Sequence, residues 1–121
     1  MPLLFAYGSL QQEKVQLAIF GRCLIGRVDD ILGHERLAIE IDDPSVIATS
    51  GLSRHSIVRY TGQASHRVSG TVYEVSNDEL AAADRYEVAA YRRVEALLAS
   101  GGRAWVYVDA RHAPRDSMAV E

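Results

Sequence analysis

Leu3-Leu4-Phe5-Ala6-Tyr7 is an unbroken apolar run of strand length that ends at Gly8. Such a run reads as a buried central strand, and it obliges the rest of the chain to supply neighbours and a cover for it. Gln11 to Phe20 follows, rich in helix formers, with Val15, Ala18 and Ile19 forming an apolar stripe at helical spacing. Gly21 stops that helix. The chain therefore opens as strand, glycine loop and helix, an arrangement that points backbone N–H groups at anything anionic.

Cys23 to Leu32 and Arg36 to Ile41 predict two strands joined through Gly33, and Asp42-Asp43-Pro44-Ser45 is turn chemistry. Between Val46 and Gly62 only Ser56 to Tyr60 reads as a strand. Thr71, Tyr73 and Val75 alternate with Gly70, Val72 and Glu74, which marks a strand over Arg67 to Val75. Ser76-Asn77-Asp78-Glu79 is a capping box that opens a helix from about Asn77 to Tyr86, with Leu80, Ala83 and Glu87 on one face. Tyr91 to Ala99 and Arg103 to Ala110 read as strands turned by Ser100-Gly101-Gly102. Trp105 and Tyr107 fall on the same side of the last one. Strands dominate, with one early and one late helix, so this is not the strict alternation of a doubly wound parallel sheet. The expectation is a mixed α+β domain whose sheet curls or closes.

At 121 residues the chain forms one domain, long enough to bury about two-thirds of the surface its unfolded form exposes. Its net charge is −3, and apart from Lys14 its basic residues are arginines scattered along the sequence. Nucleic-acid binding needs clustered basic excess, so that class is set aside. Cys23 is the single cysteine and allows no internal disulfide, which fits a reducing compartment. No apolar run reaches membrane-span length and the N-terminus lacks a basic signal segment, so a cytoplasmic protein is expected. His34, His55, His66 and His112 show no metal-ligand spacing, and no phosphate-loop or dinucleotide motif is present. Neither a metal nor a cofactor is expected.

Two constellations carry chemistry. At Tyr7-Gly8-Ser9-Leu10 the backbone can approach a ligand closely and offer N–H groups to a carboxylate or a developing oxyanion. The bland reading of the same residues is a strand-to-helix turn with Ser9 as a cap. Glu87 shares a helical face with Leu80 and Ala83. If that face is core, burial favours the neutral carboxyl and equips it to act as base and then acid near neutral pH. A helix-end glutamate turned into water is the alternative. Tyr91 can line a pocket and Tyr107 can present a hydroxyl to one, or each can simply pack. Arg92 and Arg93 can pair with carboxylates or decorate a strand edge.

In order, Phe5-Ala6-Tyr7-Gly8-Ser9-Leu10, Gly70-Thr71-Val72-Tyr73-Glu74-Val75, Ala83-Asp84-Arg85-Tyr86-Glu87, Tyr91-Arg92-Arg93-Val94 and Ala104-Trp105-Val106-Tyr107-Val108 resemble the γ-glutamylcyclotransferase-like (AIG2-like) family. The resemblance covers residues 3 to 110, with little from Asp42 to His66. It implies a small mixed closed β-barrel of about six strands with two main flanking helices and a pocket at its mouth. Residues 1–112 would form that domain and residues 113–121 a flexible tail. The backbone of Tyr7, Gly8, Ser9 and Leu10 would hold a γ-glutamyl group and Glu87 would be the acid/base, with Tyr91 and Tyr107 beside the substrate. The product would be 5-oxoproline, released with a free amine or amino acid. Ala83 stands where the family often has leucine, and Val88 where it often has glycine. Leu10 and the chain's short length look like the γ-glutamylamine and short AIG2-like branches.

The leading expectation is therefore an intramolecular cyclotransferase acting on a small γ-glutamyl compound, as a monomer or weak homodimer. The runner-up is a catalytically silent module that binds a small carboxylate in the same pocket. A third is a structural domain with a vestigial cleft.

Overall fold

The computed structural model describes residues 2–40, 44, 48, 54–63, 65–87 and 91–110. Among them the chain forms β1 (Leu3–Ala6), a 3-10 turn (Ser9–Gln11), α1 (Glu13–Phe20), β2 (Gly26–Leu32) and β3 (His34–Glu40). It continues through β4 (Arg54–Tyr60), β5 (Arg67–Glu74), α2 (Asn77–Tyr86), β6 (Tyr91–Leu97) and β7 (Arg103–Asp109). The turn expected at Asp42–Ser45 falls, but for Pro44, outside the described residues, as do Val88 and the expected tail at residues 113–121. No helix among the described residues is long and apolar enough to cross a membrane.

β1 is central, as its unbroken apolar run implies. The main sheet has the order β2-β5-β1-β7-β6, with β1 antiparallel to β5 and parallel to β7. Successive side chains of a strand point to opposite faces. Leu4 and Ala6 accordingly join Val15, Leu80, Ala83 and Tyr107 in a core beneath the helices. Phe5 and Tyr7 join Val58, Val72, Val94 and Val106 in a second core on the other face. Trp105 packs with Tyr107 on the helix side, as their alternation predicts, and is half-buried.

The expected closed barrel is not formed. Among the described residues five strands make the mixed sheet, while β3 and β4 pair only with each other, from His34 opposite Tyr60 to Glu40 opposite Arg54. The sheet edges β2 and β6 do not zip together. They meet at a single bridge, Ile31 to Leu98, reinforced by Ala99 N–H donating to the Asp30 carbonyl at 2.8 Å. A barrel needs a continuous ladder across that seam. What forms is a curled open sheet with a separate two-stranded ribbon carrying Val58 against its second face.

The helices hold two lessons. At α2, Ser76 accepts from Glu79 N–H at 3.0 Å and Glu79 accepts from Ser76 N–H at 2.9 Å, the capping box read from the sequence. At α1 the helix begins at Glu13 rather than Gln11, because Ser9–Gln11 winds as a 3-10 turn and Gln12 is extended (φ −75°, ψ 133°). Gly21 ends it in the left-handed region at φ +72°, where glycine carries no steric penalty. Val15 is buried, but Ala18 of the expected stripe is exposed and Gln16 is buried instead.

Candidate active site

Because β1 and β7 run parallel, their C-terminal ends reach the same edge of the sheet. The chain leaves β1 there through Tyr7 and Gly8, and β7 ends there with Tyr107 and Asp109. α2 delivers its C-terminus beside them, and Glu87 is its C-cap, with its N–H still bonded to the Ala83 carbonyl at 3.1 Å. The backbone turns extended at Glu87 (φ −71°, ψ 141°) and leaves the helix. The result is a cleft of about 310 Å³, mouth included, walled by Phe5, Ala6 and the Tyr7–Leu10 loop. Glu87, Tyr91 and Tyr107 complete it.

All seven residues that the sequence singled out as a candidate site therefore border one cleft. Glu87 is half-buried there, and among the described residues no cation pairs with it. Burial, and then the negative charge of Asp84, push its pKa up to about 8. Burial also raises the phenols of Tyr7, Tyr91 and Tyr107 well above their usual value, and the Glu87 carboxylate adds to the effect on all three. Those rings stay neutral hydrogen-bonding groups.

The hydroxyls are already committed. Tyr7 donates its hydroxyl to the Tyr107 backbone carbonyl, locking the loop to β7. Tyr107 donates to Asp84 Oδ1 at 2.7 Å, and Arg93 Nε pairs with the same oxygen at 2.9 Å. The Arg93 guanidinium also lies 4.6 Å above the Trp105 ring. Ser9 Oγ is 2.9 Å from the Tyr86 hydroxyl. Ser9 is thus held by a side chain at the end of α2, and the N-cap of the 3-10 turn is Gly8 and not Ser9.

Gly8 has an ordinary negative φ of −134°. A Cβ built there would meet no protein atom within 4 Å, so a side chain would meet cleft space, not the fold. Ser9 and Leu10 open the 3-10 turn, so their N–H groups have no acceptor within it. The cleft thus brings the start of the 3-10 turn, three neutral phenols and one carboxyl to a single cavity. Such a site can hold a small anionic group and exchange a proton with it.

Three contributors were not legible as such. Asp84 was read only as part of a motif, and its acceptor role depends on strand residues that the fold brings to it. Gln16 and Arg36 reach the loop from α1 and β3. Gln16 Nε2 donates to the Leu10 carbonyl at 2.9 Å, and Arg36 donates to the Tyr7 carbonyl at 2.7 Å.

Comparison with known proteins gives a family model described as Gamma-glutamyl cyclotransferase, AIG2-like, which matches residues 4–119. No curated protein matches. Among solved structures, an Arabidopsis thaliana protein determined in solution superposes with a TM-score of 0.68 at 20% identity, over 97% of this chain and 67% of its own. An uncharacterised protein from Pyrococcus horikoshii gives 0.63 at 20% identity, over 95% of this chain and 82% of its own. A structure titled gamma-glutamyl cyclotransferase gives 0.62 at 15% identity, over 89% and 66%. At these identities the likeness shows the fold.

Proposed function

The chain belongs to the gamma-glutamyl cyclotransferase, AIG2-like family, and from that premise we propose that it is an intramolecular cyclotransferase. It converts a small γ-glutamyl compound into 5-oxoproline and a free amine or amino acid. Glu87 is the acid/base and the backbone of Tyr7, Gly8, Ser9 and Leu10 holds the γ-glutamyl group. The observation that carries this reading is the placement of a half-buried carboxyl across one cleft from that loop.

The chemistry balances with a single proton carrier. The substrate's α-amine nitrogen bonds to its own γ-carbonyl carbon, and the γ-amide C–N bond breaks. Glu87 takes a proton from the attacking nitrogen and returns one to the departing nitrogen, so the enzyme ends as it began. The loop N–H groups meet negative charge that develops on the γ-oxygen. Attack is intramolecular, so the protein's main tasks are to fold the substrate into a near-attack shape and to exclude water. Tyr91 and Tyr107 pack beside the substrate.

The test is a panel of γ-glutamyl amines, γ-glutamyl amino acids and glutathione, with 5-oxoproline quantified by mass spectrometry. A positioned acid/base contributes about 10²–10⁴-fold, so Glu87→Gln should lose turnover by that factor while still binding 5-oxoproline. Full activity in Glu87→Gln would overturn the mechanism. Absence of turnover with every compound, alongside 5-oxoproline binding, would replace it with a carboxylate-binding module.

A further inference from the structure

Every carbonyl of the Tyr7–Leu10 loop is occupied by a donor from the protein. Tyr7 O accepts from the Arg36 guanidinium at 2.7 Å, and Leu10 O from Gln16 Nε2 at 2.9 Å. Gly8 O accepts from Gln11 N–H at 3.0 Å, and Ser9 O from Gln12 N–H at 2.9 Å. The peptide unit is planar, with its C=O and the next residue's N–H pointing opposite ways. Fixing the carbonyls of Tyr7, Gly8 and Ser9 therefore fixes the directions of the N–H groups of Gly8, Ser9 and Leu10. Gln16 acts one step back, by fixing the Leu10–Gln11 peptide whose N–H holds the Gly8 carbonyl.

Two of these four donors belong to the turn itself, and the other two are side chains sent from elsewhere. Gln16 is only 4% exposed, and the other end of its amide accepts from Leu24 N–H at 2.8 Å. An aliphatic side chain beside Val15 would fill that space without desolvating an amide. Arg36 spans from β3, on the ribbon, to the loop after β1. Helix and ribbon thus each place a side-chain donor on the same loop.

We propose that Gln16 and Arg36 are positioning residues that hold the Tyr7–Leu10 loop with its N–H groups aimed into the cleft, where they receive the carboxylate or developing oxyanion of a small acid. The identity of that acid rests on the cyclotransferase reading; the positioning role does not. Preorganised donors are effective because they need no reorientation when charge arrives, and a loosened loop loses that advantage.

The test titrates 5-oxoproline into the wild type, Gln16→Met, Arg36→Met, Arg36→Lys and the double Met variant, by calorimetry or NMR, with Tm recorded for each. Each Met variant should bind about tenfold more weakly, a loss on the scale of one hydrogen bond. Arg36→Lys retains a donor and should stay within about threefold of wild type. The double variant should fall short of the product of the single effects, because both residues act on one loop. Arg36 is exposed, so Arg36→Met should fold even if Gln16→Met does not. Wild-type affinity in Arg36→Met, or fully multiplicative losses, would overturn the proposal. Weakened variants of a wild type that binds 5-oxoproline but turns over no γ-glutamyl compound would sustain it and remove the cyclotransferase reading. Turnover with unchanged KM in the variants would do the reverse, and a wild type that binds no such compound would overturn both.

Discussion

A carboxyl that takes a proton from one amine and returns it to another works best when its two protonation states lie close in free energy near working pH. Burial brings Glu87 to that condition, and Asp84, one helical turn earlier, adds to it. Asp84 is itself held by Arg93 and by the Tyr107 hydroxyl, so its charge stays in place near the cleft. The tyrosines that line the cleft with Glu87, namely Tyr7, Tyr91 and Tyr107, are kept neutral by burial and contribute no charge. Asp84→Asn keeps an oxygen for the Tyr107 hydroxyl but removes the negative charge. The ionised form of Glu87 then becomes easier to reach, and its pKa falls below about 8. The rising limb of kcat/KM against pH, measured between about pH 5 and 9, should move to lower pH. The shift should be partial, because burial is the larger cause and remains. A limb that stays in place would show that Asp84 does not tune the site.

Among the elements, the β1–β5 pairing most directly shapes the loop that follows β1. Phe5 lies opposite Val72 and Ala6 opposite Thr71. A Cβ on Gly70 would collide with the Ala6 carbonyl oxygen and stand 2.6 Å from the Phe5 ring. Gly70→Ala should therefore destabilise the protein by about 1–3 kcal/mol, the usual scale of overpacking, because a backbone oxygen cannot swing aside as a side chain would. Equilibrium denaturation measures this, and an unchanged midpoint would mean that the strands separate without cost. Patterning alone found this strand and most of the others, since period-two alternation and glycine stops are local signals. The capping box placed the start of α2 for the same reason. Pairing partners are a different matter. The residues of β3 and β4 say that they are strands, but not that they pair with each other and leave the main sheet open. Gln16 was illegible because a polar residue on a helix reads as solvent-facing. Its partners, the Leu10 carbonyl in the 3-10 turn and the Leu24 N–H in irregular chain, lie six and eight residues away. Tyr7, Gly8, Ser9, Leu10 and Glu87 could be singled out because each sits in a short run with a local chemical meaning.

In the molecule as a whole, an open sheet must still prevent its edges from splaying, and here a polar clasp does what a closed ladder would have done. Asp29 on β2 is buried and accepts from Arg27 at 2.8 Å and from the backbone N–H of Asp30 at 2.8 Å. It also accepts from the hydroxyl and the backbone N–H of Ser100, at the β6–β7 turn. That turn is at the opposite end of β7 from Tyr107, and neither Asp29 nor Ser100 lines the cleft. Ser100→Ala removes a hydrogen bond to a charged, buried group and should cost about 1.5–3 kcal/mol. It should leave 5-oxoproline affinity and turnover at wild-type values. The cost also has a pH signature. The Ser100 hydroxyl, ahead of the other contacts, holds the Asp29 carboxyl below its ordinary value. A carboxyl depressed in the folded state stabilises the protein fully above the unfolded value of about 3.9 and loses that stabilisation as pH falls through the folded one. The Tm difference between wild type and Ser100→Ala should accordingly be full at neutral pH and shrink only in strong acid. A gap that persists unchanged in acid would place the Ser100 contribution in packing, not in its bond to the carboxylate. A loss of turnover at neutral pH would show that the edges of the sheet communicate with the cleft after all.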